Sequence, residues 1–190
     1  MKKNIGNKMA LYPTPTAVVG AEVDGKVTWT LIAHIGIVAH DRLLISLFSK
    51  HYINKGIKET GRMSVNIVTE DILPEADYCG IASGLKTDKS KIFAYSRGEA
   101  GTPMIDRSPL TMECKVEDIY ECNGFENFIC SIENTYADEN VVDEKGRPDY
   151  TRLHPVLFEM PSYTYLRTGS VIAPCMKPGK EYRKQITTSE

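Results

Sequence analysis

The segment spanning residues 49–54 brings together the side chains best suited to bind an anion. A hydroxyl, an ammonium, an imidazole and an amide follow one another between an apolar strand pattern and a helical pattern. The first turn of a helix presents free backbone N–H groups and the positive end of the helix dipole. Ser49, Lys50 and His51 could add donors around a bound dianion, which indicates a candidate phosphate site. An ordinary loop in which Asn54 caps the helix explains the same residues.

Two further segments could contact the same ligand. The first could lay backbone amides along a flat heterocycle, and it consists of Thr28, Trp29, Thr30, Leu31, Ile32, Ala33 and His34. Its alternative is a hairpin arm whose Trp29 and Leu31 fill the core. The second segment combines Ser83 and Gly84 with Lys86 and Lys89, which could supply cations to another side of the ligand. Its alternative is a solvated surface loop.

Side-chain catalytic motifs are missing from the sequence. It contains no G-x-G-x-x-G, P-loop, H-E-x-x-H or G-x-S-x-G pattern. His34 and His40 are the only neighbouring histidines, six residues apart, so no metal site is predicted. No catalytic side chain is assigned. An enzyme without such motifs commonly takes its chemistry from a cofactor.

The amino-acid composition is that of a globular protein and gives no sign of a nucleic-acid-binding or membrane-spanning protein. The 190 residues are 42% hydrophobic and 25% charged, which is typical of a globular protein. The net charge of −2 gives no electrostatic reason to expect nucleic acid or an anionic membrane as a partner. No apolar run is long enough to span a membrane. Five cysteines without a C-x-x-C pair favour neither a disulfide scaffold nor a zinc ribbon, so we expect a cytoplasmic protein with mostly buried thiols.

Short strands dominate the predicted elements. Asp24 and Gly25 form a strong hairpin signal between predicted strands at 17–23 and 26–30, and Asn123 and Gly124 join strands at 110–117 and 127–136. Further strands are predicted at 43–48, 64–68, 156–160 and 163–167, with a helix at 54–60 that ends at Gly61 and an acidic helix or turn at 70–77. Residues 79–88 and 98–109 are predicted to be irregular, and a mobile polar tail is expected beyond Pro178. This pattern predicts an all-β fold with minor helices, a closed or nearly closed barrel.

An ordered set of short motifs extends over roughly residues 10 to 170. The motifs are Tyr12-Pro13-Thr14-Pro15, Thr28 to His34, Tyr52 to Glu59, Ser64 to Ile67, Asp77 to Gly80 with Ser83-Gly84, Asp88 to Ser90, Pro103 to Ile105, Pro109 to Cys114 and Leu153 to Phe158. With these motifs the chain resembles the flavin reductase-like proteins that have an FMN-binding split β-barrel, and within them the flavoredoxin branch.

The resemblance implies a six-stranded Greek-key split barrel with flanking helices, one domain over residues 1–190, and a homodimer with FMN in a groove near the dimer interface. Residues 28–33 would lie along the isoalloxazine and ribityl chain, and His34 could stack on the flavin or pack in the hairpin. The phosphate would be surrounded by Ser49, Lys50, Tyr52 and Asn54, and the site would be closed by Ser83, Gly84 and Lys89.

The chain departs from the family pattern at several positions. Thr28 stands where the family often has Asn, His34 where Trp is common, Arg42-Leu43 where many members have Pro-Pro, and Ile53 where Thr is frequent. An isoleucine cannot hydrogen-bond a phosphate, so these departures leave the ligand set open. Tyr163 and Tyr165 could face the flavin or a partner subunit. For Cys175, an inert thiol is favoured over a redox role.

The resemblance implies an FMN-dependent oxidoreductase without membrane or nucleic-acid partners. It would be either a flavin reductase that uses NAD(P)H or an electron-transfer flavoprotein that takes electrons from a protein donor. A non-catalytic flavin-binding or sensing module on the same barrel is the first alternative. A barrel without a cofactor that serves as an interaction protein is the second.

Overall fold

A computed structural model describes residues 1–187 of the chain. Within this range the strands are β1 (Thr14–Pro15), β2 (Ala17–Val23), β3 (Lys26–Ile32), β4 (Ile35–Ala39), β5 (Arg42–Phe48), β6 (Arg62–Ile67), β7 (Tyr95–Arg97), β8 (Pro103–Ile105), β9 (Leu110–Cys122), β10 (Phe125–Ala137), β11 (Leu157–Glu159) and β12 (Thr164–Leu166). The helices are α1 (Ile53–Thr60), α2 (Leu73–Ile81), α3 (Tyr150–Leu153) and α4 (Lys177–Thr187), with 3₁₀ turns at Glu70–Ile72 and Glu139–Val141. The all-β prediction with minor helices is confirmed.

The main sheet is antiparallel and follows the order β3-β2-β6-β9-β10-β5-β4. Its two edge strands, β3 and β4, are separated only by Ala33 and His34, so they are consecutive parts of one bent strand. The connection therefore keeps the two edges of the sheet next to each other. Counted as one strand, β3 and β4 complete the six strands expected for the barrel. The bend at Ala33 and His34 forms part of the candidate site.

Local turn chemistry sets the register of the two long hairpins. Asp24 and Gly25 both have positive φ, at 51° and 74°, and they join β2 to β3. Asn123 and Gly124 do the same between β9 and β10, with φ values of 47° and 80°. Two consecutive left-handed residues form the turn that matches strand twist, which explains the preference for Asp-Gly and Asn-Gly. Both predicted hairpins are present.

Two apolar clusters lie on opposite faces of the sheet. Alternate residues of β2 divide between them, since Val19 joins one cluster and Val18 the other. The first cluster lies under α1 and includes Ile45, Ile57, Met63 and Phe128. The second lies under α2 and includes Trp29, Ile72, Phe93 and Val156. Among the cysteines, Cys79, Cys114 and Cys130 are buried, Cys122 and Cys175 are exposed, and all five are free.

Several sequence predictions differ from the structure. Residues 79–81 were expected in a loop but form the last turn of α2, and residues 103–105, expected to be irregular, form β8. The alternation of apolar and polar residues at 110–117 also predicts that Thr111 and Glu113 face solvent, but both are buried. The reason is tertiary: the β7–β8 region covers this part of the strand, since Ala100 and Thr102 donate hydrogen bonds to Glu113.

The polar C-terminal segment is helical up to residue 187, where the described part of the chain ends, and the sequence patterns do not predict this helix. Helix α4 spans Lys177–Thr187, and its described side chains are exposed as the polar composition predicts. Its residues include Lys, Glu, Arg and Gln, which all have high helix propensity without needing an apolar face. No helix within residues 1–187 combines the length and the apolar composition required to cross a membrane.

Candidate functional site

A polar cavity of about 200 Å³ lies where three parts of the chain meet. These are β3, the connection from β5 into α1, and the segment that follows α2. The predicted site residues that line it are Thr28, Trp29, Thr30, Lys50, Tyr52, Ser83, Gly84 and Lys89. The two segments that the sequence associated with phosphate binding and site closure therefore meet in space.

Lys89 is the most unusual residue of the polar cavity. Its side chain is buried, with 5% relative exposure, and its Nζ donates to the carbonyl oxygens of Trp29 (3.0 Å) and Cys79 (2.7 Å). None of the ion pairs formed within residues 1–187 includes Lys89. Burial lowers the pKa of its ammonium, because desolvation disfavours the charged form. An ammonium has three donors, and the two carbonyl oxygens account for two of them.

A larger aromatic cavity, of about 480 Å³, adjoins the polar cavity. Four predicted residues line it, namely Leu31, Ile32, Ala33 and His34. Most of its other walls are aromatic or apolar, from Phe48, Phe125, Phe158, Met160, Tyr163 and Tyr165. Such a lining suits a flat ring system.

His51 and Gly80 line both cavities, so the two form one continuous groove with a polar end and an aromatic end. A Cβ at Gly80 would lie only 3.3 Å from the Cβ of Leu31, so the junction stays open because position 80 lacks a side chain. The pKa of His51 is lowered by desolvation of its ring and by the positive charge of Lys89. The imidazole at the junction therefore favours its neutral form.

Contacts from the N-terminal segment fix the bend that forms one wall of the aromatic cavity. The Thr14 hydroxyl donates to the Ala33 carbonyl at 2.9 Å, and the Tyr12 hydroxyl lies 3.2 Å from His34 Nε2. The Ser46 N–H donates to the His34 carbonyl at 3.0 Å. The His34 ring meets Phe125 edge-on, with 5.7 Å between ring centroids. His34 therefore lines the aromatic cavity and also packs against Phe125, and a contact with the flavin stays a prediction.

The opposite wall is attached to α2 through Tyr165. Its hydroxyl donates to Asp77 Oδ1 at 2.5 Å, which ties β12 to the helix. Desolvation and this hydrogen bond to a carboxylate both raise the pKa of Tyr165. The phenol therefore stays protonated at physiological pH and acts as a structural donor.

Two predicted residues do not line either cavity. The backbone N–H of Ser49 donates to the Gly124 carbonyl at 2.9 Å, within the turn region of the barrel. Asn54 is buried, and its Nδ2 donates to the Phe48 carbonyl (3.1 Å) and to Glu126 Oε2 (2.6 Å). The structure thus gives Asn54 a role in joining α1 to β10. The Trp29 indole is fully buried against Phe93, so Trp29 is also a core residue, as its alternative interpretation proposed.

Sequence reasoning missed most of the aromatic wall. Phe125, Phe158 and Met160 were not assigned to the site, and Gly80 was noted only within a motif. The one available signal was the motif at residues 153–158, which ends at Phe158. Within residues 1–187, no cluster of three His, Cys, Asp or Glu side chains could hold a metal ion.

Comparison with known proteins identifies the family. The model of the flavin reductase like domain family matches residues 9–166. The structure is similar to flavoredoxin from Methanosarcina acetivorans, with a TM-score of 0.90, 32% identity, and coverage of 96% of this chain and 99% of that chain. Flavoredoxin of Desulfovibrio vulgaris (Miyazaki F) gives a TM-score of 0.87 and 29% identity, with 94% of this chain and 100% of that chain covered.

A more distant structure shares the fold. It is the FMN-binding protein from Thermus thermophilus with bound 1-cyclohex-2-enone, with a TM-score of 0.79, 20% identity, and coverage of 92% of this chain and all of that chain. A search of curated protein sequences gives no match. The family model covers most of the chain, and the family predicted from the sequence motifs is thereby confirmed. The chain belongs to the flavin reductase like domain family.

Proposed function

We propose that this chain binds FMN in the continuous groove and acts as an FMN-dependent oxidoreductase. Electrons would come from NAD(P)H, as in a flavin reductase, or from a protein donor, as in flavoredoxin-type electron transfer. The similarity to flavoredoxins at 29–32% identity supports FMN as the cofactor. The observation that carries the proposal is a buried ammonium without a carboxylate partner at the polar end of an aromatic-lined groove.

The polar cavity has the donors that a phosphate requires. Lys89 supplies a buried cation, and Lys50 adds a second ammonium at the cavity edge. Ser83 and Gly84 also line the polar cavity. A Cβ at Gly84 would come within 3.1 Å of Tyr52 Cδ1, so this close approach of backbone to ring favours glycine. Charge-assisted hydrogen bonds of this kind are shorter and stronger than neutral ones.

The aromatic cavity fits the isoalloxazine ring. FMN, when bound, supplies the hydride and electron-transfer chemistry. The chain's own residues would bind and orient it: Ala33 and His34 from the bend, Phe125 from β10 and Tyr165 from β12. No side chain is assigned as an acid or base.

The visible absorption spectrum of the purified protein tests the proposal. We expect a flavin spectrum after FMN is added and unbound FMN is removed by desalting. Bleaching by NADH or NADPH under anaerobic conditions supports a flavin reductase. Bleaching only by a reduced redox protein supports an electron carrier. A bound flavin that neither donor reduces supports the non-catalytic module, and absence of bound flavin contradicts the proposal.

Lys50→Ala is expected to weaken FMN binding without changing the rate of flavin reduction at saturation. Lys50 is exposed, so water screens its charge, and the effect should be at most about fivefold, corresponding to about 1 kcal/mol. Fluorescence titration of FMN measures the dissociation constant. An affinity equal to that of the wild type would remove Lys50 from the proposed site.

We also propose that the chain forms a homodimer in the cytoplasm. Exposed apolar side chains occur on β4 and in the segment before α4, with Ile37 at 85% and Ile172 at 100% relative exposure. A second copy of the chain would cover such surfaces. Light scattering of the eluted protein should give twice the mass of one chain. A monomer mass at micromolar concentration would contradict the dimer.

A further inference from the structure

Tyr163 combines an unfavourable backbone conformation with a place at the mouth of the aromatic cavity. Its φ is +54°, in the left-handed region that bulky residues rarely adopt. Its residue exposure is 75%, and yet its side chain lines the cavity. Strained conformations of this kind persist where the surroundings enforce them, and they concentrate at functional sites.

The turn between β11 and β12 enforces this conformation. The Glu159 carboxylate accepts hydrogen bonds from the Ser162 N–H (3.2 Å), from the Ser162 hydroxyl and from the Thr164 hydroxyl (2.6 Å). The Tyr163 N–H donates to the Met160 carbonyl at 3.2 Å. These hydrogen bonds hold the backbone on both sides of Tyr163, and with it the direction in which the side chain leaves the turn.

Within residues 1–187, the ring of Tyr163 has one aromatic neighbour. Its centroid lies 6.2 Å from that of Phe158, at an angle of 71°. Phe158 in turn contacts Tyr12 and Tyr165, so Tyr163 is the outermost member of an aromatic series that runs along the cavity wall. A large ring that stays exposed beside an aromatic cavity gains burial when a second flat ring enters.

We propose that Tyr163 contacts the isoalloxazine ring of FMN and covers it at the cavity mouth. This inference rests on the proposed function, because it assigns a residue to the ring-binding end of the groove. It adds a specific role for the β11–β12 turn, which holds the phenol in place through Glu159. The phenol would also quench the fluorescence of the bound flavin by electron transfer to the excited ring.

Two substitutions at position 163 separate the ring from the backbone. Tyr163→Asn removes the ring but tolerates positive φ, and it should weaken FMN binding about threefold to tenfold. Tyr163→Phe keeps a ring and should keep the dissociation constant within about twofold, since the ring supplies most of the contact. Both variants should lengthen the fluorescence lifetime of bound FMN, because both lack the phenol. The matched control is Tyr182→Asn, at an exposed tyrosine of α4 that lines neither the polar cavity nor the aromatic cavity.

The dissociation constant of FMN and the fluorescence lifetime of bound FMN test whether Tyr163 contacts the ring. The expected result is a longer lifetime in both position-163 variants and no change in Tyr182→Asn. An unchanged lifetime and affinity in Tyr163→Asn would overturn the contact while leaving FMN binding intact. If the wild-type protein itself fails to bind FMN, the proposed function fails, and this inference fails with it.

Discussion

Lys89→Met is expected to weaken FMN binding by about tenfold to a hundredfold. A hydrogen bond to a charged group contributes about 1.5–3 kcal/mol, and each 1.4 kcal/mol corresponds to a factor of ten in affinity. Lys89 should reach this range because it is buried, whereas Lys50 is exposed and screened by water. Methionine keeps a long unbranched side chain, so the change removes mainly the charge and the donors. Isothermal titration with FMN measures the effect.

Lys91→Met provides the matched control for this substitution. Lys91 lies two residues away on the same segment, its side chain is exposed, and it lines none of the cavities of the groove. The dissociation constant of FMN from Lys91→Met should match that of the wild type. Because Lys89→Met also removes the hydrogen bonds to the Trp29 and Cys79 carbonyls, the circular dichroism spectrum of the variant is compared with that of the wild type before titration. Equal FMN affinity of Lys89→Met and Lys91→Met would show that the polar cavity does not bind the phosphate.

Glu113→Ala is expected to lower the free energy of unfolding by about 3–5 kcal/mol, since each buried donor left without a partner costs about 1–3 kcal/mol. The fully buried carboxylate accepts the backbone N–H groups of Ala100 (3.0 Å) and Thr102 (3.2 Å). Its remaining donors are the Thr102 hydroxyl (2.9 Å), Asn134 Nδ2 (2.9 Å) and the Tyr136 hydroxyl (3.2 Å). Chemical denaturation measures the change. The melting temperature should fall by at least about 6 °C.

The exposed Glu121 on the same strand supplies the control, and Glu121→Ala should change stability by less than about 0.5 kcal/mol. The pH dependence gives a second check. Burial acts to raise the pKa of Glu113, but the hydrogen bonds from Ala100, Asn134 and Thr102 outweigh it and hold the pKa below its usual 4.5. The stabilisation is therefore complete above pH 4.5 and is lost as the pH falls through the lowered value. A wild-type advantage that grows on acidification would contradict this account.

Local signals were enough to predict the parts of the fold that local chemistry determines. Asp24-Gly25 and Asn123-Gly124 specify their turns through positive φ, whatever surrounds them. Gly61 ends α1 in the same way, with its N–H donating to the Ile57 carbonyl at 2.9 Å. Which side chains of β9 are exposed could not be predicted in full. The alternating pattern of β9 places Glu113 on the solvent side, but the segment between β7 and β8 buries it.

The candidate site was predictable where its residues are consecutive in the chain. The stretch at residues 28–34 and the segment around Lys50 reach the groove as the motifs implied. Asn54 could not be placed correctly, since its partner Glu126 is distant in the sequence. The sequence offered Lys89 both as a site residue and as part of a surface loop, and only its contacts with the carbonyls of Trp29 and Cys79 show that it is buried. The aromatic wall is likewise a product of tertiary packing.

The central claim is that one groove holds a flavin ring at its aromatic end and a phosphate at its polar end. Parallel titrations with FMN and with riboflavin, which lacks the phosphate, test it most directly. We predict one FMN per chain and a riboflavin affinity at least about tenfold weaker, since the charged donors of the polar cavity would lose their partner. Equal affinity for the two flavins, or no binding of either, would contradict the account.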